Sequence, residues 1–150
     1  MGFNLAVPAK HVIREIQNMP AVQVNRYDHI TIISSDLEAT RRFYVDLLGM
    51  EEVARPAFPF PGSWFQTGSM QIHVTLESEE AGQAGWGDRG VKITPRGHHF
   101  AFEVDDCEAA IEALTAEGVE VASPLQTRPD GIKQVYFYDP DRHLVELFSQ

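Results

Sequence analysis

Asp28-His29-Ile30-Thr31-Ile32-Ile33-Ser34-Ser35-Asp36 is matched further along the chain by His98-His99-Phe100-Ala101-Phe102-Glu103-Val104-Asp105-Asp106. In each stretch a histidine opens an alternating apolar run, and an aspartate follows that histidine by seven residues (His29 to Asp36, His99 to Asp106). Alternation of this kind predicts a strand with one buried face. After each aspartate comes a run with helical spacing that closes on a glycine, Gly49 or Gly118, residues suited to the left-handed conformation that ends helices. One strand–helix unit is therefore written twice.

The two copies continue alike. In the first, a strand over 27–33 leads to a helix over 36–48, with Ser35 and Glu38 as its capping box and Leu37, Phe43, Leu47 and Leu48 as its buried stripe. A short strand at 50–54, a Pro/Phe-rich loop at 56–61 and a hairpin of 64–67 and 70–76 follow. In the second, a strand over 98–104 precedes a helix over 106–117, capped by Asp105 with Glu108. Strands at 119–121, 133–138 and 143–148 complete it, with turns at Pro129-Asp130-Gly131 and 139–142. Each copy reads βαβββ, antiparallel within the unit. The fold class is α+β, two such modules forming a curved mixed sheet around a central cleft. The domain spans 27–150, its modules at about 27–76 and 98–148 joined by loop 77–97, which contains Trp86 and reads as a lid or a mobile link. Residues 1–26 form an extension in which Val12, Ile13, Ile16 and Met19 predict a short amphipathic helix that packs on the domain or on a partner subunit.

At 150 residues, 43% hydrophobic and 23% charged, the chain is of ordinary single-domain size and composition. A net charge of −10 with no basic stripe argues against nucleic acid. No apolar run approaches the roughly 20 residues a membrane span needs, and no secretory signal is read near the start. The single cysteine, Cys107, excludes an internal disulfide framework and fits a cytoplasmic location; it is read as a small structural residue in the first turn of the second helix.

Because strand side chains alternate, faces can be assigned from sequence. His29 shares a face with Thr31 and Ile33, and His73 with Gln71 and Thr75. His99 lies with Ala101 and Glu103, and Glu146 with Leu144 and Phe148. Each of the four sits opposite its strand's main apolar stripe. His73 comes 44 residues after His29 and Glu146 comes 47 after His99, so three imidazoles and a carboxylate occupy equivalent points of a repeat. That predicts a four-ligand divalent metal site, and Zn, Ni, Fe, Mn and Co all suit the donors. His98 points the other way and is structural, His143 follows a turn and is expected to be exposed, and His11 belongs to the extension. Arg128 and Lys133 are placed at the cavity mouth as anchors for an anionic substrate group, and Trp64 as an apolar wall.

On Asp28-His29-Ile30, Phe43-Tyr44 with Leu47-Leu48-Gly49-Met50, Gln71-Ile72-His73-Val74, residues 99–106 and Tyr138-Asp139-Pro140-Asp141 ending at Glu146-Leu147, the chain resembles the vicinal oxygen chelate superfamily. That superfamily includes glyoxalase I, fosfomycin-resistance thiol transferases, bleomycin-resistance proteins and extradiol dioxygenases. The resemblance covers about 27–148 and implies that His29, His73, His99 and Glu146 hold a divalent metal. The metal would chelate adjacent oxygens of a small-molecule substrate and stabilise an enolate-like or oxyanion species. It further implies a homodimer, with the site between modules of one chain or across the interface.

A glyoxalase I-like lyase or isomerase is the leading expectation. Glyoxalase I carries a glutamate where this chain has His73, which leaves Glu146 as the candidate base. An Fe(II) extradiol dioxygenase is the alternative: His29, His99 and Glu146 match its triad and Tyr136 its tyrosine, while Thr127, Arg128 and Pro129 occupy the region of its further histidine. A non-catalytic binding protein of the bleomycin-resistance kind is the third. In the Asp-Pro-Asp-Gly turn usual for the superfamily, Arg142 replaces glycine, so the turn is expected to differ locally or Arg142 to face the site.

Overall fold

A computed structural model describes residues 21–85 and 94–150. The helix expected within 1–26, His11 and Trp86 fall outside the described residues. β1 (His29–Ser34) leads to α1 (Leu37–Arg41), which continues as a wider π-helical segment (Arg42–Leu47). β2 (Glu51–Val53), β3 (Gly62–Thr67) and β4 (Met70–Leu76) complete the first module. The second has β5 (Phe100–Glu103), α2 (Cys107–Ala116), β6 (Val121–Thr127), β7 (Lys133–Tyr138) and β8 (Leu144–Ser149).

Both modules form a four-stranded sheet of the same order, β1-β4-β3-β2 and β5-β8-β7-β6. The expectation of antiparallel pairing throughout is corrected at one place in each: β1 runs parallel to β4, and β5 to β8. A helical crossover returns the chain in its original direction, so β2 starts parallel to β1. Two reversals later β4 has the same direction again and fits the remaining edge.

Both helix caps lie one residue later than the sequence predicts. Asp36 Oδ1 accepts from the backbone N–H of Glu38 (2.9 Å) and Ala39 (3.1 Å), and Asp106 Oδ1 from Glu108 (2.8 Å) and Ala109 (3.1 Å). Ser35 is engaged elsewhere: its N–H lies 3.1 Å from Asp141 Oδ1 in the other module. β6 runs on through Pro124 where only a short strand was expected. It is an edge strand with two register shifts, the setting in which a proline costs no ladder bond.

The helices cover one face of each sheet, and one apolar cluster joins them. Ile32, Phe65, Ile72 and Val74 meet Phe43 and Tyr44 in the first module; Val135, Phe137, Val145 and Leu147 meet Cys107 and Leu114 in the second. Cys107 is fully buried with its Sγ 3.5 Å from the Leu147 carbonyl, a packing role.

Polar ties cross between modules within this core. Tyr44 OH donates to Asp139 Oδ2 at 2.8 Å, and the same oxygen lies 2.9 Å from His143 Nδ1. Asp139 Oδ1 accepts from the N–H of His143 (2.7 Å) and Asp141 (3.0 Å). His143 is therefore buried, at 7% exposure, rather than exposed as the turn before it suggested. Arg142 keeps the left-handed turn at φ 65°, with its guanidinium 4.0 Å from the Tyr138 ring centroid and paired with Glu120. Gly85 brings the linker against this turn: a Cβ there would stand 1.7 Å from the Asp141 carbonyl oxygen.

Tyr44→Phe removes a donor from a buried carboxylate and should cost about 1.5–3 kcal/mol in urea unfolding, the usual range for a hydrogen bond to a charged group. Asp139→Ala, which strands both Tyr44 and His143, should cost more. Unchanged midpoints for both would show that the modules are held by apolar contact alone.

Candidate metal centre

The sheet faces turned away from the helices carry the polar side chains. Register sets His73 beside Thr31 and Trp64, and Glu146 beside Ala101 and Tyr136. The four sequence-predicted ligands come together as two pairs. The His29 and His73 rings stack at 3.9 Å and 15° in the first module, and His99 Nε2 lies 2.9 Å from Glu146 Oε2 in the second. Among the described residues of one chain, no three His, Cys, Asp or Glu side chains converge on a point where they could hold a metal ion.

Proton accounting shows what each pair offers. In a neutral imidazole one nitrogen donates and the other accepts. His99 Nδ1 lies 3.0 Å from the Gly97 carbonyl oxygen, which can only accept, so Nδ1 carries the proton. Its Nε2 is then a lone pair aimed at a carboxylate oxygen that already accepts from Tyr136 OH at 2.9 Å. Two acceptors at that separation repel unless a cation lies between them, either a proton on Nε2 or a metal ion. Glu146 is only 6% exposed, so water screens this little.

His29 is prepared in the same way. Its Nδ1 lies 3.0 Å from Asp28 Oδ2, which leaves Nε2 as the free lone pair. The hydrogen bond from His29, with the charge of Arg26, holds the Asp28 carboxyl below the usual range. A carboxylate or carbonyl behind a histidine is the support metal-binding imidazoles generally have. The support of His29 and His99 was missed in the sequence, although Asp28 adjoins its histidine.

His73 is held differently. Gln66 donates to the Gly68 carbonyl (3.2 Å), Gln71 donates to Gln66 Oε1 (2.8 Å), and Gln71 Oε1 lies 2.9 Å from His73 Nε2. A backbone carbonyl thus orients both amides and puts the proton on Nε2, leaving Nδ1 free. Burial, reinforced by the neighbouring His29, lowers the pKa of His73 and keeps it neutral, the form that ligates. Its ring lies between His29 and Trp64, the indole parallel to it at 3.9 Å and 4°.

Tyr136 shares the face of Glu146, and burial, with its bond to Glu146, pushes its hydroxyl up to about 12. It is a hydrogen-bond donor at any ordinary pH. Arg128 lies close enough to act electrostatically on Tyr136 and pairs with Asp130 at 2.6 Å. Lys133 is not at the cavity mouth: it alternates with Gln134 and Tyr136, falls on the helix side with Val135 and Phe137, and pairs with Glu108 of α2.

A family model described as the Glyoxalase/Bleomycin resistance protein/Dioxygenase superfamily matches residues 26–147. The chain is 30% identical over 124 residues to the uncharacterized protein YwkD of Bacillus subtilis, covering 81% of this chain and 94% of that one. The crystal structure of the fosfomycin resistance protein FosX from Listeria monocytogenes superposes with TM-score 0.65 at 27% identity, over 85% of this chain and 95% of that one. A glyoxalase/dioxygenase from Nostoc punctiforme shares the fold with TM-score 0.71 at 23% identity, over 89% and 99%.

In metal-free protein, the difference in ultraviolet pH titration between wild type and Tyr136→Phe should show a phenol ionising near 12. A difference curve with its midpoint near the ordinary tyrosine value of about 10 would show that Glu146 does not hold the proton on that hydroxyl.

Proposed function

Given that the chain belongs to the Glyoxalase/Bleomycin resistance protein/Dioxygenase superfamily, we propose that it is a metal-dependent enzyme of the glyoxalase I-like branch. It acts on a small oxygenated substrate by isomerisation, lyase or addition chemistry. The observation that carries this reading is the His99–Glu146 contact at 2.9 Å, where the geometry calls for a cation between imidazole and carboxylate and each group is supported from behind. The donor set fits a divalent cation: imidazoles at His29, His73 and His99, of which burial favours the neutral form of His73, and a buried carboxylate at Glu146. Such a cation, when bound, supplies Lewis acidity to adjacent substrate oxygens.

The chain's own residues supply positioning and proton movement. Asp28 and the Gly97 carbonyl fix the tautomers of His29 and His99. Tyr136 donates to Glu146 Oε2, which leaves Oε1 to accept a proton from substrate, and Glu146 is the group assigned as base. Trp64 forms the apolar wall beside the first pair.

Each chain carries one His29–His73 pair and one His99–Glu146 pair. A homodimer in which the first pair of one protomer meets the second pair of its partner would contain two complete sites. This arrangement reconciles the repeat with the separation of the pairs in a single chain.

Freshly purified protein loaded with Zn, Ni, Co, Mn or Fe(II) should bind one ion per chain by elemental analysis and sediment as a dimer. His99→Ala and Glu146→Gln should lose the ion, and Asp28→Asn should weaken binding about 10–100-fold, as removal of a ligand's supporting group generally does. The reading fails if none of these ions binds at stoichiometry.

A further inference from the structure

The loop between β2 and β3 presents two phenylalanines to solvent, Phe58 at 42% and Phe60 at 44% exposure. Their rings stack at 5.2 Å and 21°. The Arg55 guanidinium lies 5.1 Å from the first ring centroid and 5.2 Å from the second. It is held there by one hydrogen bond, Nη2 to the Phe60 carbonyl at 3.1 Å, while its buried Nε has no hydrogen-bond partner. Phe58 in turn leans on Trp64 at 6.2 Å, Trp64 lies parallel to His73, and His73 to His29. A row of aromatic faces thus runs from the exposed loop to the first candidate ligand pair.

Charge makes this row selective. Among the described residues, Arg26, Arg41, Arg42, Arg128, Lys133 and Arg142 each pair with a carboxylate, and only Arg55 and Arg96 do not. In a chain of net charge −10, a cation held against a pair of stacked aromatic rings without a counter-ion is a place for an anion. A neutral ligand covering Arg55 would desolvate a charge and return nothing, and a cationic one would be repelled. An aliphatic acid would leave the phenylalanine and indole faces without a flat partner.

We propose that Arg55, Phe58, Phe60 and Trp64 form a recognition subsite for an aromatic carboxylate. The ring of the ligand packs on Phe58 and Trp64, and its carboxylate takes the Nη N–H groups of Arg55 that the Phe60 carbonyl leaves free. This names the substrate class of the site proposed above and rests on that reading only for where the reacting oxygens lie.

The probe is 2-naphthoate, which lacks adjacent chelating oxygens, titrated into the whole protein by calorimetry, once metal-loaded and once in chelator. Saturable binding at one per chain is expected in both conditions. Arg55→Gln should weaken it by about tenfold or more, the scale of one lost charge-assisted contact, and Arg55→Lys should fall between. 2-Naphthylmethanol, with the ring but no charge, and cyclohexanecarboxylate, with the charge but no flat face, should each bind about tenfold more weakly than naphthoate. Metal content of Arg55→Gln should equal that of wild type. If no metal binds at stoichiometry yet naphthoate binding depends on Arg55, the subsite stands and the metal reading falls. The subsite is overturned if naphthoate does not bind, if Arg55→Gln binds it as tightly as wild type, or if cyclohexanecarboxylate binds equally well.

Discussion

The carboxylate of Asp139 is the buried polar point at which the two halves of this molecule meet, within the apolar core they share. Its side chain is fully buried, where an unpaired charge would be prohibitive, and four donors converge on it from the Tyr44 hydroxyl, the His143 ring and two backbone N–H groups. Tyr44 belongs to the first module and the rest to the second, so the fourth hydrogen bond is completed only when the modules dock. The docking also settles local matters. It lets Asp141 reach Ser35 and so passes the helix cap to Asp36, buries His143, and fixes the turn that keeps Arg142 left-handed. Among the described residues of one chain it does not bring three candidate ligands onto a common point, which is the ground for proposing a site shared between two copies.

Strand alternation then divides the labour within each sheet. Side chains toward the helices are mostly apolar and join the shared core; the other face carries the three candidate histidines, Glu146 and Tyr136. Because both modules have the same strand order, the same division produces a histidine at the entry of β1 and of β5, each with its Nδ1 proton given to an oxygen behind it. The oxygens differ in origin, a side chain at Asp28 and a backbone carbonyl at Gly97. The shared outcome, an Nδ1 proton committed to an oxygen so that Nε2 is turned to the site, is a matter of chemistry rather than of sequence identity.

What could be read from the residues alone follows the reach of the rule applied. Period-two alternation assigned His29, His73, His99 and Glu146 to the faces they occupy, since nothing beyond the strand itself is needed to decide that. The same rule puts Lys133 with Val135 and Phe137 on the helix side, where its charge is met by Glu108 rather than by a ligand at a cavity mouth. Parallel pairing of β1 with β4 follows from the crossover and was open to the same reasoning. Other features depend on partners far along the chain. Choosing between Ser35 and Asp36 as cap needs the position of Asp141, and the burial of His143 needs Tyr44 to complete the site around Asp139. The length of β6 depends on its being an edge, where Pro124 leaves no ladder bond unmade.

The two candidate half-sites are unequal, and the inequality bears on mechanism. In the second, the imidazole faces a carboxylate whose other contact is a phenol held firmly protonated, an arrangement suited to receiving and releasing a proton. In the first, both imidazoles belong to an aromatic stack, and His73 has its proton fixed by two amides and a backbone carbonyl, an arrangement that resists proton transfer. Two sheets of the same strand order thus carry side chains of different chemistry. On the proposed roles, with flat-surface recognition on the Trp64 side and proton transfer on the Glu146 side, a ligand spanning both would be planar at one end and oxygen-bearing at the other.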